Sequence, residues 1–389
     1  MKRPFRTLPA VPGDGDTARS VFAPPLRRTS DQQMEEFTMT SIYLIRHAEA
    51  EGNLYRIAQG QHDSNLTDRG WRQVRALERR FAGVPVDAVY ASDLYRTCAT
   101  ASAIYKSHGL TLHRRQDLRE IHVGDWEQRT WGEIVRRTPQ AMEDFGKRMD
   151  RWAIPGAETP GQVLERVRRA VESIAAENPG KTVAVFSHGY AIRLLLANLQ
   201  GISLRDTGVK SPTGDNTAVS LLEWDGEALR VVFQNDNSHL QTPEFLAEEK
   251  VRKRAVALEP GLWFRPLAEK EAPPSILAEA AADSDAPLTL TGFLGEEPVG
   301  LLQMDPEEGR IGLIYVRPGC RKRGFGVQLI GQAVQYTRER GGERLTALLP
   351  PESEARAFFL DCGFSPAEEE ERALLSKFIG FDPEFLGEP

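Results

Sequence analysis

The chain has 389 residues, 40% of them hydrophobic and 27% charged, and a formal net charge of −7, the composition of a globular protein long enough for two domains. The acidic balance argues against a general nucleic-acid binder, and no apolar run approaches the roughly 18 to 20 residues that a membrane span requires. Three cysteines, Cys98, Cys320 and Cys362, stand far apart with no metal-ligand spacing, which fits reduced thiols in a cytoplasm.

Residues 1–40 carry prolines, arginines and small polar residues without the apolar core of a secretion signal, and Arg27-Arg28 is followed by polar residues rather than an apolar run. A flexible extension without chemistry is expected, with Met39 an alternative start just before the first strand. From Ser41 onward short β-branched runs alternate with helical stretches, which implies parallel βαβ units. The run from Ser41 ends at Arg46-His47, and the run from Thr182 ends at Ser187-His188. In an open parallel sheet the ligand crevice lies beyond the carboxyl ends of the strands, so separate segments can deliver both imidazoles to one pocket. Between them, Gly70–Phe81 reads as an amphipathic helix, Ala88–Ala91 as a buried strand and Arg96–Ser107 as a helix. Thr159, Pro160 and Gln162 have the pattern of a capped helix start, which leaves the preceding Glu158 a structural role. Pro243–Leu258 reads as a charged helical connector. The expected division is 41–242, a connector over 243–260, and a second domain over 261–389.

The residue types suggest phosphate chemistry. A phosphoryl group leaving an ester is held by cations, attacked in line and released when an acid protonates the departing oxygen. Arg46 adjoins His47, and Arg96 opens a helix whose N–H groups add anion-binding donors. His62, His108, His113, His122 and His239 are expected in loops or at the surface, and no spacing among them recommends a metal.

These motifs resemble the histidine phosphatase superfamily, in its phosphoglycerate mutase-like branch. Arg46-His47-Ala48-Glu49 is similar to the family's Arg-His-Gly-Glu signature, Ser92–Thr97 to its second arginine motif, Leu118–Ile121 to its acid motif and Ser187-His188-Gly189 to its second histidine. The resemblance implies that His47 is the nucleophile and Glu120 the general acid, with Arg46, Arg96 and His188 completing the phosphate pocket and Asn53 and Asn216 lining it. No cofactor is implied for this domain. Ala48 and Gln128 stand where relatives carry glycine. The segment between Glu120 and Pro155-Gly156 is short for a dedicated mutase, which favours water as acceptor and a small-molecule phosphate ester as substrate.

In the second domain, Thr289–Met304 reads as a hairpin turning at Gly295, Arg310–Val316 as a strand and Gly324–Gly326 as the opening of a helix reaching about Arg340. A later strand, Arg344–Leu349, precedes a helix ending before Gly363-Phe364. Arg321, Gly324 and Gly326 resemble the Arg-x-x-Gly-x-Gly loop of the GCN5-related N-acetyltransferases (GNAT), in which glycines let the backbone approach a pyrophosphate. The resemblance implies acetyl-CoA or CoA binding by Val316, Arg321, Arg323, Gly324, Phe325 and Gly326. Phe359 occupies a position where relatives often carry a proton-donating tyrosine, and Glu352 one of a frequent asparagine, so binding is better supported than catalysis. The expectation is a three-layer α/β/α phosphatase-like domain with a mostly parallel sheet, fused to an α/β GNAT-like domain with a mixed sheet. A phosphoglycerate mutase, or a phosphatase with a silent acyl-CoA sensor, are the alternatives.

Overall fold

The computed structural model describes residues 39–251, 261–267, 275–283, 285–367 and 373–386. The expected N-terminal extension, apart from its last two residues, and the distal part of the connector lie outside them.

The first half runs β1 (Thr40–Arg46), α1 (Glu51–Tyr55), α2 (Asp68–Phe81), β2 (Ala88–Ser92), α3 (Tyr95–Tyr105), β3 (Leu112–Arg115), α4 (Trp131–Arg137) and α5 (Pro139–Lys147). It continues through α6 (Pro160–Glu177), β4 (Thr182–Ser187), α7 (Gly189–Leu199), α8 (Leu204–Lys210), β5 (Val219–Trp224), β6 (Leu229–Asp236) and α9 (Pro243–Val251). Six strands form one sheet in the order β3-β2-β4-β1-β5-β6. The first four are mutually parallel, β5 pairs antiparallel with β1, and β6 pairs antiparallel with β5.

Period-two alternation makes this sheet the middle of three layers. Ile42, Leu44, Val183 and Val185 face a core shared with Val163 and Val167 of α6 and Leu194 of α7. Ile45, Ala184 and Phe186 face the opposite core, built on Leu77 and Phe81 of α2 and Cys98 and Ile104 of α3. At the start of α6 the capping box forms: Thr159 N–H donates to Gln162 Oε1 at 2.8 Å, and Gln162 N–H to Thr159 Oγ1 at 3.3 Å.

The second half contains β7 (Trp263–Pro266), α10 (Ser275–Glu279), β8 (Leu288–Leu294), β9 (Glu297–Asp305), β10 (Arg310–Val316) and α11 (Phe325–Arg338). β11 (Arg344–Leu348), α12 (Ala355–Asp361), β12 (Ser365–Pro366) and β13 (Leu374–Phe378) follow. The mixed sheet has the order β12-β13-β11-β10-β9-β8-β7. β7 was not predicted, because four residues ending in proline show no alternation. Its edge position tolerates that proline, and Trp263 stacks on Phe293 with centroids 4.2 Å apart.

The halves exchange side chains. Tyr55 of α1, only 3% exposed, belongs to the second core with Leu329, Ile330 and Val334 of α11. Phe385, near the chain end, belongs to the first half's core beside Tyr95 and Trp71. Gly331 makes room for Tyr55, since a Cβ there would lie 2.5 Å from the Tyr55 Cβ. Arg338 clasps the Glu51 carboxylate at 2.6 and 3.2 Å, and Lys377 donates to the Tyr55 hydroxyl at 3.0 Å. The described residues accordingly form one compact body.

Candidate active site

β1 and β4 are parallel neighbours in which Arg46 is the register partner of Ser187. The next residue on each is a histidine, so both rings emerge at the same height beyond the sheet, with centroids 5.3 Å apart and planes at 54°. His47 Nδ1 lies 2.7 Å from the Ala48 carbonyl oxygen. A carbonyl can only accept, so Nδ1 carries the proton and Nε2 keeps its lone pair. His188 is fully buried, with Nε2 2.9 Å from Ser92 Oγ and, among the described residues, no hydrogen-bond partner for Nδ1. Burial, followed by Arg96, holds both imidazoles well below the ordinary histidine range, so they are neutral near pH 7.

Arg46 and Arg96 flank the rings. Arg46 donates to the Gly214 carbonyl at 2.6 Å. Arg96, 1% exposed, donates to the carbonyls of His62 and Gly60 at 2.9 and 2.8 Å. The Nε of each guanidinium is buried without a partner among the described residues. Glu120 lines the same cavity of about 330 Å³ as His47, Asn53, Arg46 and Arg96. Its Oε2 accepts the Tyr190 N–H and its Oε1 the Ala191 N–H, both at 3.0 Å, so it caps α7, whose own N-cap His188 makes no side-chain cap bond. Arg119, an obvious partner for Glu120, instead forms a bidentate pair with Asp93 at 2.6 and 2.5 Å. Asn216 Nδ2 donates to the His47 carbonyl at 3.0 Å and lies 3.5 Å from Asn53 Oδ1.

Several supports were not legible beforehand. Arg166 of α6 forms a bidentate pair with Glu158 at 2.7 Å on both oxygens, and donates to the carbonyls of Arg119 and Glu120 at 2.6 and 2.8 Å. The structural role expected of Glu158 is thus to anchor the clamp on the Glu120 loop. Thr100 Oγ1 accepts the Ala48 N–H at 2.9 Å and ties the loop after His47 to α3. His239, expected at the surface or in a loop, is in a short 3-10 turn and only 5% exposed. It is 2.9 Å from Thr217 Oγ1, and the Thr217 N–H reaches back to the Arg46 and His47 carbonyls. Gln128 has φ +62°, which explains why glycine suits that position.

In the second half, Gly324 caps α11 with φ +83°, and the Arg321 Nε donates to the Val316 carbonyl at 3.0 Å. Arg323 lies over the Phe325 ring at 4.8 Å. A Cβ at Gly326 would come within 3.0 Å of the Phe358 ring. The β10–β11 ladder consists of Arg310↔Thr346 and Ile311↔Ala347, and beyond it the two strands part beside the glycine loop. An open strand edge, a helix start and flanking arginines suit an extended pyrophosphate-bearing ligand. Phe359 is 4% exposed, packed edge-on between Phe358 and Phe364, and Glu352 is exposed.

Fold and site together define an α/β domain with two buried histidines side by side at its strand ends, joined to a mixed-sheet domain with a glycine-opened helix. Residues 42–237 match the model of the histidine phosphatase superfamily (branch 1), and residues 255–364 that of the acetyltransferase (GNAT) family. The chain belongs to the histidine phosphatase superfamily and carries a GNAT domain in the same polypeptide. It is 31% identical over 211 residues to the "Probable phosphoglycerate mutase GpmB" of Serratia proteamaculans, spanning 53% of this chain and 97% of that protein. It is 27% identical over 202 residues to "Phosphoserine phosphatase 1" of Hydrogenobacter thermophilus, spanning 52% and 95% respectively. Among solved structures, Bacillus stearothermophilus YhfR superposes with a TM-score of 0.50 at 33% identity, covering 52% of this chain and 99% of that one. Among the described residues no helix is long and apolar enough to cross a membrane.

Proposed function

We propose that the first half is a phosphomonoesterase that hydrolyses a small phosphorylated metabolite through a phosphohistidine at His47. The observation that carries this reading is the fixed tautomer of His47: Nδ1–H is held by the Ala48 carbonyl, which leaves the Nε2 lone pair available beside two arginines. Nε2 attacks phosphorus as the ester P–O bond breaks, and the leaving oxygen takes a proton from Glu120. Water then attacks phosphorus as the P–Nε2 bond breaks, gives a proton to Glu120, and leaves as part of the released phosphate with the Nε2 lone pair restored. Arg46, Arg96 and His188 hold the phosphoryl oxygens, with Asn53 and Asn216 at the rim. A 3-10 turn at Gly124–Trp126 and two short helices, α4 and α5, are all that stand between Glu120 and Pro155, a small cap that supports water rather than a second metabolite as acceptor.

Hydrolysis of p-nitrophenyl phosphate with trapping of an acid-labile phosphoenzyme tests the assignment. His47→Ala should abolish both, and wild-type turnover in that variant would defeat it. Phosphoryl transfer between phosphoglycerates outrunning release to water would identify a mutase.

For the second half we propose acetyl-CoA or CoA binding at Val316 and the Arg321–Gly326 loop. The buried Phe359 ring has no proton to give a departing thiolate, an observation that favours a silent acyl-CoA sensor over an N-acetyltransferase. Calorimetry with acetyl-CoA followed by an acetylation assay over an amine panel separates the two, since heat without product supports the sensor.

A further inference from the structure

The phosphate cavity holds more positive charge than one phosphoryl group uses. Among the described residues four arginines line it, Arg46, Arg56, Arg96 and Arg193, against the single carboxylate of Glu120. Arg46 and Arg96 flank the histidines. Arg193 is committed to carbonyls, with Nε on Ser211 at 2.7 Å and Nη2 on Gly208 at 2.7 Å and Thr207 at 3.1 Å. Arg56 differs from all three. Among the described residues its side chain makes no hydrogen bond or ion pair, and its Nε is buried without a partner. Carboxylates lie near Arg46 (Glu120 and Asp215) and near Arg96 (Asp63, Glu120 and Glu127), whereas burial alone acts on Arg56.

Arg56 is nonetheless held firmly. It ends α1 in the left-handed region at φ 61°, its carbonyl accepts the Trp131 N–H at 2.9 Å, and a Cβ at Gly261 would touch its own Cβ at 3.4 Å. A non-glycine residue kept in that conformation with an unpaired cation marks a position over-determined by its surroundings. The rest of the cavity offers the Tyr190 hydroxyl, also buried without a partner among the described residues, and the rings of Trp131 and Phe145.

We propose that the ester hydrolysed here carries a second anionic group, a carboxylate or a further phosphate, which Arg56 receives while Arg46 and Arg96 hold the scissile phosphoryl group. This rests on the phosphomonoesterase reading. A short carbon skeleton between the two anions lies against Trp131 and Phe145, and Tyr190 donates to one of its oxygens.

Matched substrate pairs with the full chain test it. O-phosphoserine against O-phosphoethanolamine isolates a carboxylate, and fructose 1,6-bisphosphate against fructose 1-phosphate isolates a second phosphate. In at least one pair the added anion should raise kcat/KM by about 10- to 100-fold, the ratio expected of one hydrogen bond to a charged group. Arg56→Gln should shrink that ratio several-fold, Arg56→Lys should restore part of it, and in the wild type it should fall with rising ionic strength. The salt titration stands even where a variant fails to fold. Turnover of p-nitrophenyl phosphate with ratios near one in both pairs overturns the proposal, as does a ratio insensitive to Arg56→Gln or to salt. If p-nitrophenyl phosphate and every other ester are left intact, the parent reading is what has failed.

Discussion

The imidazoles of His47 and His188 lie 5.3 Å apart because Arg46 and Ser187 are paired across adjacent parallel strands. That register converts two strand ends 141 positions apart in the chain (188 − 47) into one site. A slip by one residue would send one ring to the opposite face of the sheet. His188 is further fixed by Ser92, at the end of the next strand, β2.

Ser92→Ala removes the partner of His188 Nε2 in a site with no exposure. An orphaned buried polar group costs about 1 to 3 kcal/mol, and the ring is freed to turn away from the pocket. We expect kcat/KM for p-nitrophenyl phosphate to fall about 10- to 100-fold, with circular dichroism unchanged. Wild-type kinetics in this variant would show that Ser92 does not position the ring.

The buried histidines set a pH dependence of stability. His239 is pushed down to about 4 by burial and then by Arg80, from an ordinary value of 6.5. Between those values the unfolded chain binds a proton that the folded one refuses. Its contribution to stability is therefore present above pH 6.5 and lost as pH falls toward 4. From pH 7.5 to 5 that loss amounts to about 2 kcal/mol, and His47 and His188 act in the same direction. Urea midpoints across this range check it, and His239→Gln should flatten the curve. The acid limb of kcat/KM should likewise lie well below pH 6.5, because the folded site keeps His47 unprotonated.

The exchanged side chains make the halves interdependent. Tyr55→Ala or Phe385→Ala should each cost about 3 to 5 kcal/mol. Gly331→Ala should be comparably damaging, because its methyl would meet the Tyr55 Cβ at 2.5 Å. Scanning calorimetry should give one transition in the wild type and a lower single transition in each variant. Two separate endotherms in the wild type would refute the coupling.

Much of the local structure around the candidate sites could be read from the chain because it depends on local rules. Strand-end histidines, an arginine opening a helix, the Thr159–Gln162 capping box and the Gly324–Gly326 helix start are written within a few residues, where periodicity and turn chemistry operate. The expected elements formed there with boundaries shifted by a few residues. β7 escaped because a four-residue edge strand ending in proline lacks alternation.

What the amino-acid order alone determined was therefore the inventory: two α/β halves, a histidine–arginine set and a glycine-opened helix. Tertiary packing decided the rest. It set Glu120 on the N–H groups of α7, put Arg166 under the Glu120 loop, buried His239 behind Thr217, left Arg56 without a partner among the described residues, and traded Tyr55 for Phe385 between the cores. Each joins residues distant along the chain, and which such pairs meet depends on the joint burial of all apolar faces rather than on any local segment's own preference.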